Sequence, residues 1–155
     1  MVVHFATSRS LTPEPYEEGV VTLVHPAGFN NRIEDHTPLL EGNEFAVSGA
    51  ENIDLSFSTN PTAFGIWLQD AFAVGDLGGC QGADSRFEFT FIRGATAIAG
   101  LTVDPPVDEA FFYGVLLGGT FDQVEIREDG SSIDDLFDPL CENDFFGSIL
   151  LDDAT

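Results

Sequence analysis

Carboxylates are the side chains of this sequence most able to do chemistry, because 27 of its 155 residues are Asp or Glu. A pair of carboxylates at a suitable separation can hydrolyse a glycosidic bond. With so many acids, however, some pair will fall at any chosen distance, so their number does not indicate an active site. The sequence has no nucleophile elbow and no Cys/His dyad, and Gly78-Gly79 lacks the Lys-Ser/Thr and helix of a phosphate-binding loop. We therefore predict that the protein is not an enzyme.

The charge balance is strongly acidic. Five arginines and no lysine accompany the 27 acids, which gives a formal net charge of -22. Such a surface repels nucleic-acid phosphate and anionic lipid, so neither is expected as a partner. Its own repulsion destabilises the folded chain unless salt or bound cations screen it. Two interpretations stay open: a solvated acidic face of a salt-exposed or acid-tolerant protein, or carboxylates that bind divalent cations.

The two cysteines occupy segments that are expected to be irregular and exposed. Cys80 lies in a Gly-rich loop, and Cys141 lies in an acidic one. Exposed free thiols are a liability, so we predict a Cys80–Cys141 disulfide and an oxidising, extracellular setting. In the chain-entropy model such a bridge contributes about 4 kcal/mol to stability. The alternative is two unrelated free thiols.

Sugar binding requires exposed aromatic rings that can stack on a pyranose face. Trp67 is the single tryptophan, and its neighbours Ile66 and Leu68 are expected to point into the core. Successive side chains of a strand alternate between faces, so Trp67 belongs to the opposite face. The two tyrosines, Tyr16 and Tyr113, are further candidate ligand-binding residues. The competing interpretation is that another part of the chain covers Trp67.

Alternating apolar residues predict strands throughout the chain. Phe87, Phe89 and Phe91 give the clearest case, and residues 53–68 contain two short strands separated by Thr59-Asn60-Pro61, which we interpret as a hairpin. Residues 110–117 and 120–127 predict a second hairpin, closed by Gly118-Gly119. The predicted strand segments are 2–6, 19–25, 44–48, 53–68, 85–92, 95–103, 110–117, 120–127 and 145–153.

About ten closely spaced strands without a helical window predict one domain over residues 1–155. The fold class that we expect is all-β, a two-sheet antiparallel jelly-roll β-sandwich. The first ten residues lack the pattern of a signal peptide, and no window is apolar enough to span a bilayer. We therefore expect no membrane insertion, and an export signal that is missing from this chain or was removed.

Several short motifs in the second half follow one another in a familiar order. They are LSFSTNPTAFG at 55–65, a Phe-rich strand, FFYGV at 111–115, FDQVEI at 121–126 and LDDA at 151–154. This succession resembles the jelly-roll domains of secreted bacterial proteins of the PEP-CTERM type. More distantly, it is similar to galactose-binding-like and carbohydrate-binding jelly rolls.

The resemblance implies an extracellular sandwich, often with one structural calcium and in many cases with sugar binding. Asp152 and Asp153 match the paired acidic step of the closing strand. Calcium takes six to eight oxygen ligands. Two carboxylates would therefore need further ligands from backbone carbonyls and from a residue such as Asp54, Glu34 or Asp35.

The sequence thus predicts a non-catalytic module at the cell exterior, with a structural or adhesive role. Its partners would be further copies of itself, in a homo-oligomer or filament, and calcium would stabilise it. The edges of a sandwich are available for strand addition, which favours this interpretation. A carbohydrate-binding module with an extracellular glycan as partner is the alternative.

Overall fold

Alternating burial explains why these segments form strands. In the strand that contains Phe87, Phe89 and Phe91 the three rings are buried, whereas Glu88 between them is exposed. A strand places successive side chains on opposite faces, so one face of it can enter a core while the other stays in water. The same period recurs in most of the chain's strands and produces a fold with two layers.

A computed structural model describes residues 1–5, 9–11, 15–25, 31–35, 43–47, 52–72, 86–106, 109–128 and 142–152. These residues form thirteen strands and no helix. In this part of the chain no helix is long and apolar enough to cross a membrane. Cys80, Cys141 and Asp153 lie outside the described residues, so the predicted disulfide stays a prediction.

The strands, in chain order, are β1 (Val2–Val3), β2 (Arg9–Leu11), β3 (Tyr16–Glu18), β4 (Val21–Val24), β5 (Asn31–Asp35), β6 (Asn43–Val47), β7 (Ile53–Phe57), β8 (Ala63–Phe72), β9 (Phe87–Arg93), β10 (Thr96–Val103), β11 (Phe111–Leu116), β12 (Gln123–Glu128) and β13 (Glu142–Leu151).

The strands form two antiparallel sheets. In sheet A the order is β11-β8-β13-β6-β5-β2, with β1 also paired to β13. In sheet B the order is β10-β9-β12-β7-β4-β3. The predicted fold class, an all-β antiparallel sandwich, is confirmed. The chain repeatedly crosses between the sheets after β7, β8, β10, β11 and β12, as a jelly roll requires.

Both predicted hairpins are wrong. β7 lies in sheet B and β8 in sheet A, so residues 58–62 cross between layers instead of reversing within one. β11 pairs with β8, and β12 pairs with β7 and β9, so Gly118-Gly119 also belongs to a crossing. The two crossings lie side by side: the Leu117 N–H donates to Thr62 O at 2.8 Å, and the Phe121 N–H donates to Pro61 O at 3.0 Å.

The turn predicted at Arg93-Gly94 is present and joins β9 to β10. Gly94 has a φ of 60°, a conformation that side-chain-bearing residues rarely adopt and that two-residue hairpin loops require. Both carboxylate oxygens of Asp122 accept the Gly94 N–H, at 2.9 and 3.1 Å. A residue next to β12 therefore stabilises the turn. β5 was not predicted, because its sequence NRIED places a single buried apolar residue, Ile33, among polar ones.

Phenylalanine rings fill the space between the sheets. Phe64 of sheet A has ring centroids 5.8 Å from Phe91 and 6.3 Å from Phe89, both in sheet B. Phe121, from the crossing before β12, lies 5.2 Å from Phe91 and 5.7 Å from Phe57. Most of these pairs meet edge to face, an arrangement that the quadrupole of the ring favours.

Removal of a ring from the middle of this layer should be costly. Phe121 is fully buried, and Phe121→Ala is expected to lower the free energy of unfolding by about 3–5 kcal/mol. Phe111→Ala, at a ring that is 37% exposed, should cost about 1 kcal/mol or less. Urea unfolding followed by Trp67 fluorescence measures both values. Equal losses would contradict the assignment of Phe121 to the core.

Candidate functional site

An exposed aromatic pair lies on the outer face of sheet A. Trp67 of β8 and Phe112 of β11 are directly opposite each other in the antiparallel register. Their ring centroids are 5.3 Å apart, and the ring planes are inclined by 57°. Trp67 is 39% exposed and Phe112 is 40% exposed. The predicted outward orientation of Trp67 is therefore confirmed, and a second ring accompanies it.

Two glycines make room for the Phe112 ring. Gly65 and Gly114 pair across the same two strands, one row away from Trp67 and Phe112. A Cβ atom at Gly65 would lie 2.6 Å from Phe112 Cζ, and one at Gly114 would lie 3.1 Å from Phe112 Cε1. Such distances leave no room for a methyl group, so the ring lies across bare backbone. Glycine inside a strand often marks a close approach of this kind.

The neighbouring positions on the outer face of sheet A carry small or aliphatic side chains. Leu150 of β13 pairs with Gly65, and Val2 of β1 pairs with Leu150, so one row runs across four strands from Val2 to Gly114. Val2 is exposed, and Leu150 is half-buried. The outer face of sheet A here consists of small or aliphatic residues with the two aromatic rings at one side.

Gln69 shares the face of Trp67, two positions further along β8. Its side chain is only 1% exposed, and neither its amide nitrogen nor its amide oxygen has a hydrogen-bond partner among the described residues. A buried amide without partners costs about 1–3 kcal/mol. Gln69 is thus a polar group, with one donor and one acceptor end, next to an aromatic surface.

Tyr113 lies on the other side of sheet A from Trp67. It is opposite Ile66 in the register, and its ring packs 5.5 Å from Phe89 of sheet B. Desolvation raises the pKa of its phenol above the usual value of 10.0. The structure therefore does not bring the predicted ligand-binding residues Trp67 and Tyr113 onto one face. Phe112 accompanies Trp67 instead.

The Asp152 carboxylate joins the end of β13 to the start of β8. It accepts hydrogen bonds from the Thr62 N–H at 2.7 Å and the Ala63 N–H at 2.8 Å, and a further one from the Thr62 hydroxyl. The Thr62 hydroxyl and then the Ala63 N–H are the main reasons why the Asp152 pKa lies below its ordinary value of 3.8. In this position Asp152 stabilises the β7–β8 crossing.

Asp54, the other described residue of the predicted metal site, lies in sheet B. Its carboxylate is 2.5 Å from the Arg127 guanidinium, which also lies 3.5 Å from Glu125. Asp54 and Asp152 thus belong to different sheets and contact different partners. Among the described residues no group of three His, Cys, Asp or Glu side chains is arranged to hold a metal ion. Calcium stays a prediction.

A separate pocket of about 240 Å³ lies beside the β9–β10 turn and the β11–β12 crossing. Its lining is mostly apolar or glycine, with Arg93 and Thr120 as polar members. The described residues that line it include no carboxylate, so they do not supply the pair of acids on which glycoside hydrolysis depends.

Replacement of the Asp152 carboxylate should destabilise the protein in a pH-dependent way. Asp152→Asn is expected to cost about 1 kcal/mol at neutral pH, because hydrogen bonds to a charged carboxylate become weaker bonds to a neutral amide. The folded-state pKa is lowered, so the stabilisation is complete above the unfolded pKa of 3.8 and is lost as the pH falls through the folded pKa. Urea unfolding from neutral to acid pH tests this, with the exposed Asp104→Asn as control. A constant difference across that range would contradict it.

The packing of Phe112 on glycine predicts a spectroscopic effect. Gly65→Ala should displace the Phe112 ring and change the emission of Trp67, the only tryptophan, with a stability change of about 1 kcal/mol or less. Gly100→Ala is the matched control, because a Cβ there would meet its nearest atom at an ordinary 3.7 Å. Identical emission spectra for both variants would show that the ring does not depend on Gly65.

No protein-family model and no curated protein matches the sequence. Among solved structures, the chain is similar to one described as "Family 16 Carbohydrate Binding Module-2", with a TM-score of 0.45 and 8% sequence identity. The match covers 79% of this chain and 85% of that one. Neither result identifies the family of the chain. The functional proposal therefore rests on the aromatic pair of sheet A.

Proposed function

We propose that this protein is a non-catalytic adhesive module that binds a neutral polysaccharide on the outer face of sheet A. The exposed pair of Trp67 and Phe112 carries the proposal. Aromatic faces are electron-rich, and the C–H groups of a sugar ring carry partial positive charge, so a sugar stacks on them while its hydroxyls stay hydrated. Without a ligand, each partly exposed ring forgoes the free energy that full burial of its apolar surface would provide.

The glycines support an adaptation of this face for contact. Phe112 lies across Gly65 and Gly114, where any larger residue would lift the ring from the sheet. Glycine in a strand interior weakens the strand because it loses more conformational freedom and packs no side chain. Ordinary cross-strand side-chain pairs would stabilise the sheet equally well. The observed pair instead lies close to the backbone and exposes two aromatic rings to solvent.

The shape of the face favours a polymer over a free monosaccharide. The row from Val2 through Leu150 and Gly65 to Gly114 is shallow and crosses four strands. A flat surface encloses little of a small ligand but can contact several successive residues of a long chain. Gln69, two positions beyond Trp67 on β8, is buried, so the contact surface is formed by the two rings and this apolar row.

Electrostatics restrict the class of glycan. A chain with a net charge of -22 repels uronate-rich or sulfated polysaccharides, as it repels nucleic acid. Neutral or cationic glycans are therefore favoured. Such polymers occur outside cells, which accords with the proposed extracellular location, where salt or calcium would screen the acidic surface.

A structural role is the second candidate, because the two edge strands on one side of the sandwich contain no charged residue. The edge strands on that side, β10 and β11, contain no charged residue, whereas β2 and β3 at the opposite edges contain Arg9, Glu17 and Glu18. An uncharged edge permits assembly between copies, as a subunit of a larger structure requires.

Adjacent phenylalanines provide a matched test of glycan binding. Phe112→Ala and Trp67→Ala should each weaken binding to a neutral glucan, mannan or chitin oligosaccharide by about tenfold or more. Phe111→Ala is the control, since Phe111 is comparably exposed but lies at an inward position of the same strand. Isothermal titration gives the affinities, and a polyuronate serves as the anionic comparison. No binding to any neutral glycan, or equal losses for Phe111→Ala and Phe112→Ala, would refute the proposal.

A further inference from the structure

Strand β11 forms an unprotected edge of sheet A. It is the last strand in the sheet order, and its sequence FFYGVL contains no charge and no proline. Its pairing with β8 is regular over all six residues, without a bulge. Proteins normally protect such an edge with charges, prolines or bulges. None of these three protections is present in β11, so its outer backbone groups can accept another strand.

The other edges differ from β11. β10, at the edge of sheet B, is also uncharged, but its register shifts between Ala97 and Ala99. A bulge of this kind disrupts the row of groups that a new strand would need. β3 contains Glu17 and Glu18, and β2 contains Arg9. β11 is therefore the described edge best suited to strand addition.

The hydrogen-bond register shows which backbone groups of β11 are available. The Leu117 N–H donates to Thr62 O, so position 117 points towards β8. In an antiparallel strand the N–H and C=O groups of one residue point to the same side, and successive residues alternate. The groups of Tyr113 and Val115 therefore also point towards β8. Those of Phe112, Gly114 and Leu116 point towards the open edge.

The side chains of the same three residues are exposed on the outer face. Leu116 is 78% exposed, the largest value for a large apolar residue in the described part of the chain, and Phe112 is 40% exposed. Gly114, between them, has no side chain. The Phe112 ring lies across Gly114, so the outer face of this edge strand is apolar along its length.

We propose that β11 pairs with β11 of a second copy of this chain, antiparallel and centred on Gly114. In this register Phe112 lies opposite Leu116 of the other copy, and the two Gly114 residues face each other. All three residues with outward-pointing backbone groups then form hydrogen-bonded pairs, with about six bonds in total. The pairing also keeps outer-face residues opposite outer-face residues, as a continuous sheet requires.

The side chains favour a second copy over an unrelated strand. The most exposed apolar residue, Leu116, lies opposite Phe112, and the symmetry creates this cross-strand pair twice. No charges are opposed along the strand pair. One pair of six-residue strands is a small interface, so the dimer is weak and its population depends on protein concentration.

Dimerisation would also extend the aromatic surface. The two-fold axis of an antiparallel strand pair within one sheet is perpendicular to that sheet, so both outer faces lie on the same side. The two Trp67–Phe112 pairs would then share one surface, and two weak contacts with one polymer would reinforce each other. This consequence rests on the proposed glycan binding, whereas the dimer itself does not.

Sedimentation velocity at rising protein concentration tests the dimer. Each copy carries a net charge of -22, so association should strengthen from low salt to about 1 M NaCl, where the Debye length is about 3 Å. Leu116→Lys should weaken dimerisation by about tenfold or more, although it reduces the net repulsion. Ile98→Lys is the matched control: it adds the same charge at an exposed apolar residue of the other edge, β10, and should not weaken association.

Amide hydrogen exchange provides a readout that needs no variant. At high protein concentration the amides of Phe112, Gly114 and Leu116 should become protected, whereas those of Tyr113 and Val115, already bonded to β8, should not change. A protein that stays monomeric at about 1 mM in high salt overturns the proposal. So does a dimer that Leu116→Lys leaves intact, or one whose protection appears elsewhere.

The two proposals fail separately. Glycan affinity measured with short oligosaccharides should be the same for Leu116→Lys and the wild type, because one copy suffices for a short ligand. Binding to a long polymer should weaken in Leu116→Lys through loss of the second contact. A dimer without any glycan binding would refute the proposed function alone, and glycan binding by a strict monomer would refute the β11 interface alone.

Discussion

The packing of phenylalanine rings between the two sheets is the interaction on which the rest of this structure depends. Phe64 of sheet A contacts Phe57, Phe89, Phe91 and Phe121, so a single side chain touches three residues of sheet B and one of the β11–β12 crossing. Burial of large rings contributes most of the favourable free energy in such a layer. Once Phe64 faces inward, the period of the strand places Gly65 and Trp67 on the outside. The core therefore determines which residues can form a site.

Alternation in the sequence was sufficient to locate most strands and to orient them. It predicted the burial of Phe87, Phe89 and Phe91 and the outward orientation of Trp67, because a period of two is a local property, but it left open whether another part of the chain covers Trp67. It could not predict which strands pair. Two strands that each bury one face, with a short turn-forming segment between them, have the same sequence pattern in both arrangements. They can be neighbours in one sheet or can face each other across a core.

Long-range contacts decide between these arrangements. The β7–β8 crossing depends on the Asp152 carboxylate, which accepts hydrogen bonds from Thr62 and Ala63, 90 and 89 positions away in the chain. It also depends on the bonds that Thr62 O and Pro61 O accept from the other crossing. Asp152 was singled out from the sequence as a metal ligand. Its structural contacts as a cap for the crossing could not be predicted without knowledge that β13 ends beside β8.

The same limit applies to the candidate site. Tyr113 was named beside Trp67 by residue type alone, and Phe112 was not considered, because the sequence does not reveal the register between β8 and β11. In that register Tyr113 is opposite the inward-facing Ile66, whereas Phe112 is opposite Trp67. One local signal was available: Gly65 interrupts the apolar run from Ala63 to Leu68, and glycine at such a position indicates a close approach by another group. The identity of that group is a matter of pairing and could not follow from the sequence alone.

Because the protein is strongly acidic, its uncharged surfaces are the places where contact with other molecules is least opposed. Apart from Met1 and Val2, the exposed large apolar side chains of the described residues all lie on β8, β10 and β11, on one side of the sandwich. Repulsion between acidic surfaces opposes contact between copies in most orientations, and it opposes contact with anionic polymers. Contact is least opposed where charge is absent, on the aromatic face and along the β11 edge. A uniformly acidic protein would stay soluble but would bind little. Uncharged residues on β8 and β11 confine binding to these strands, and the surrounding acidic charge makes the binding strength depend on salt.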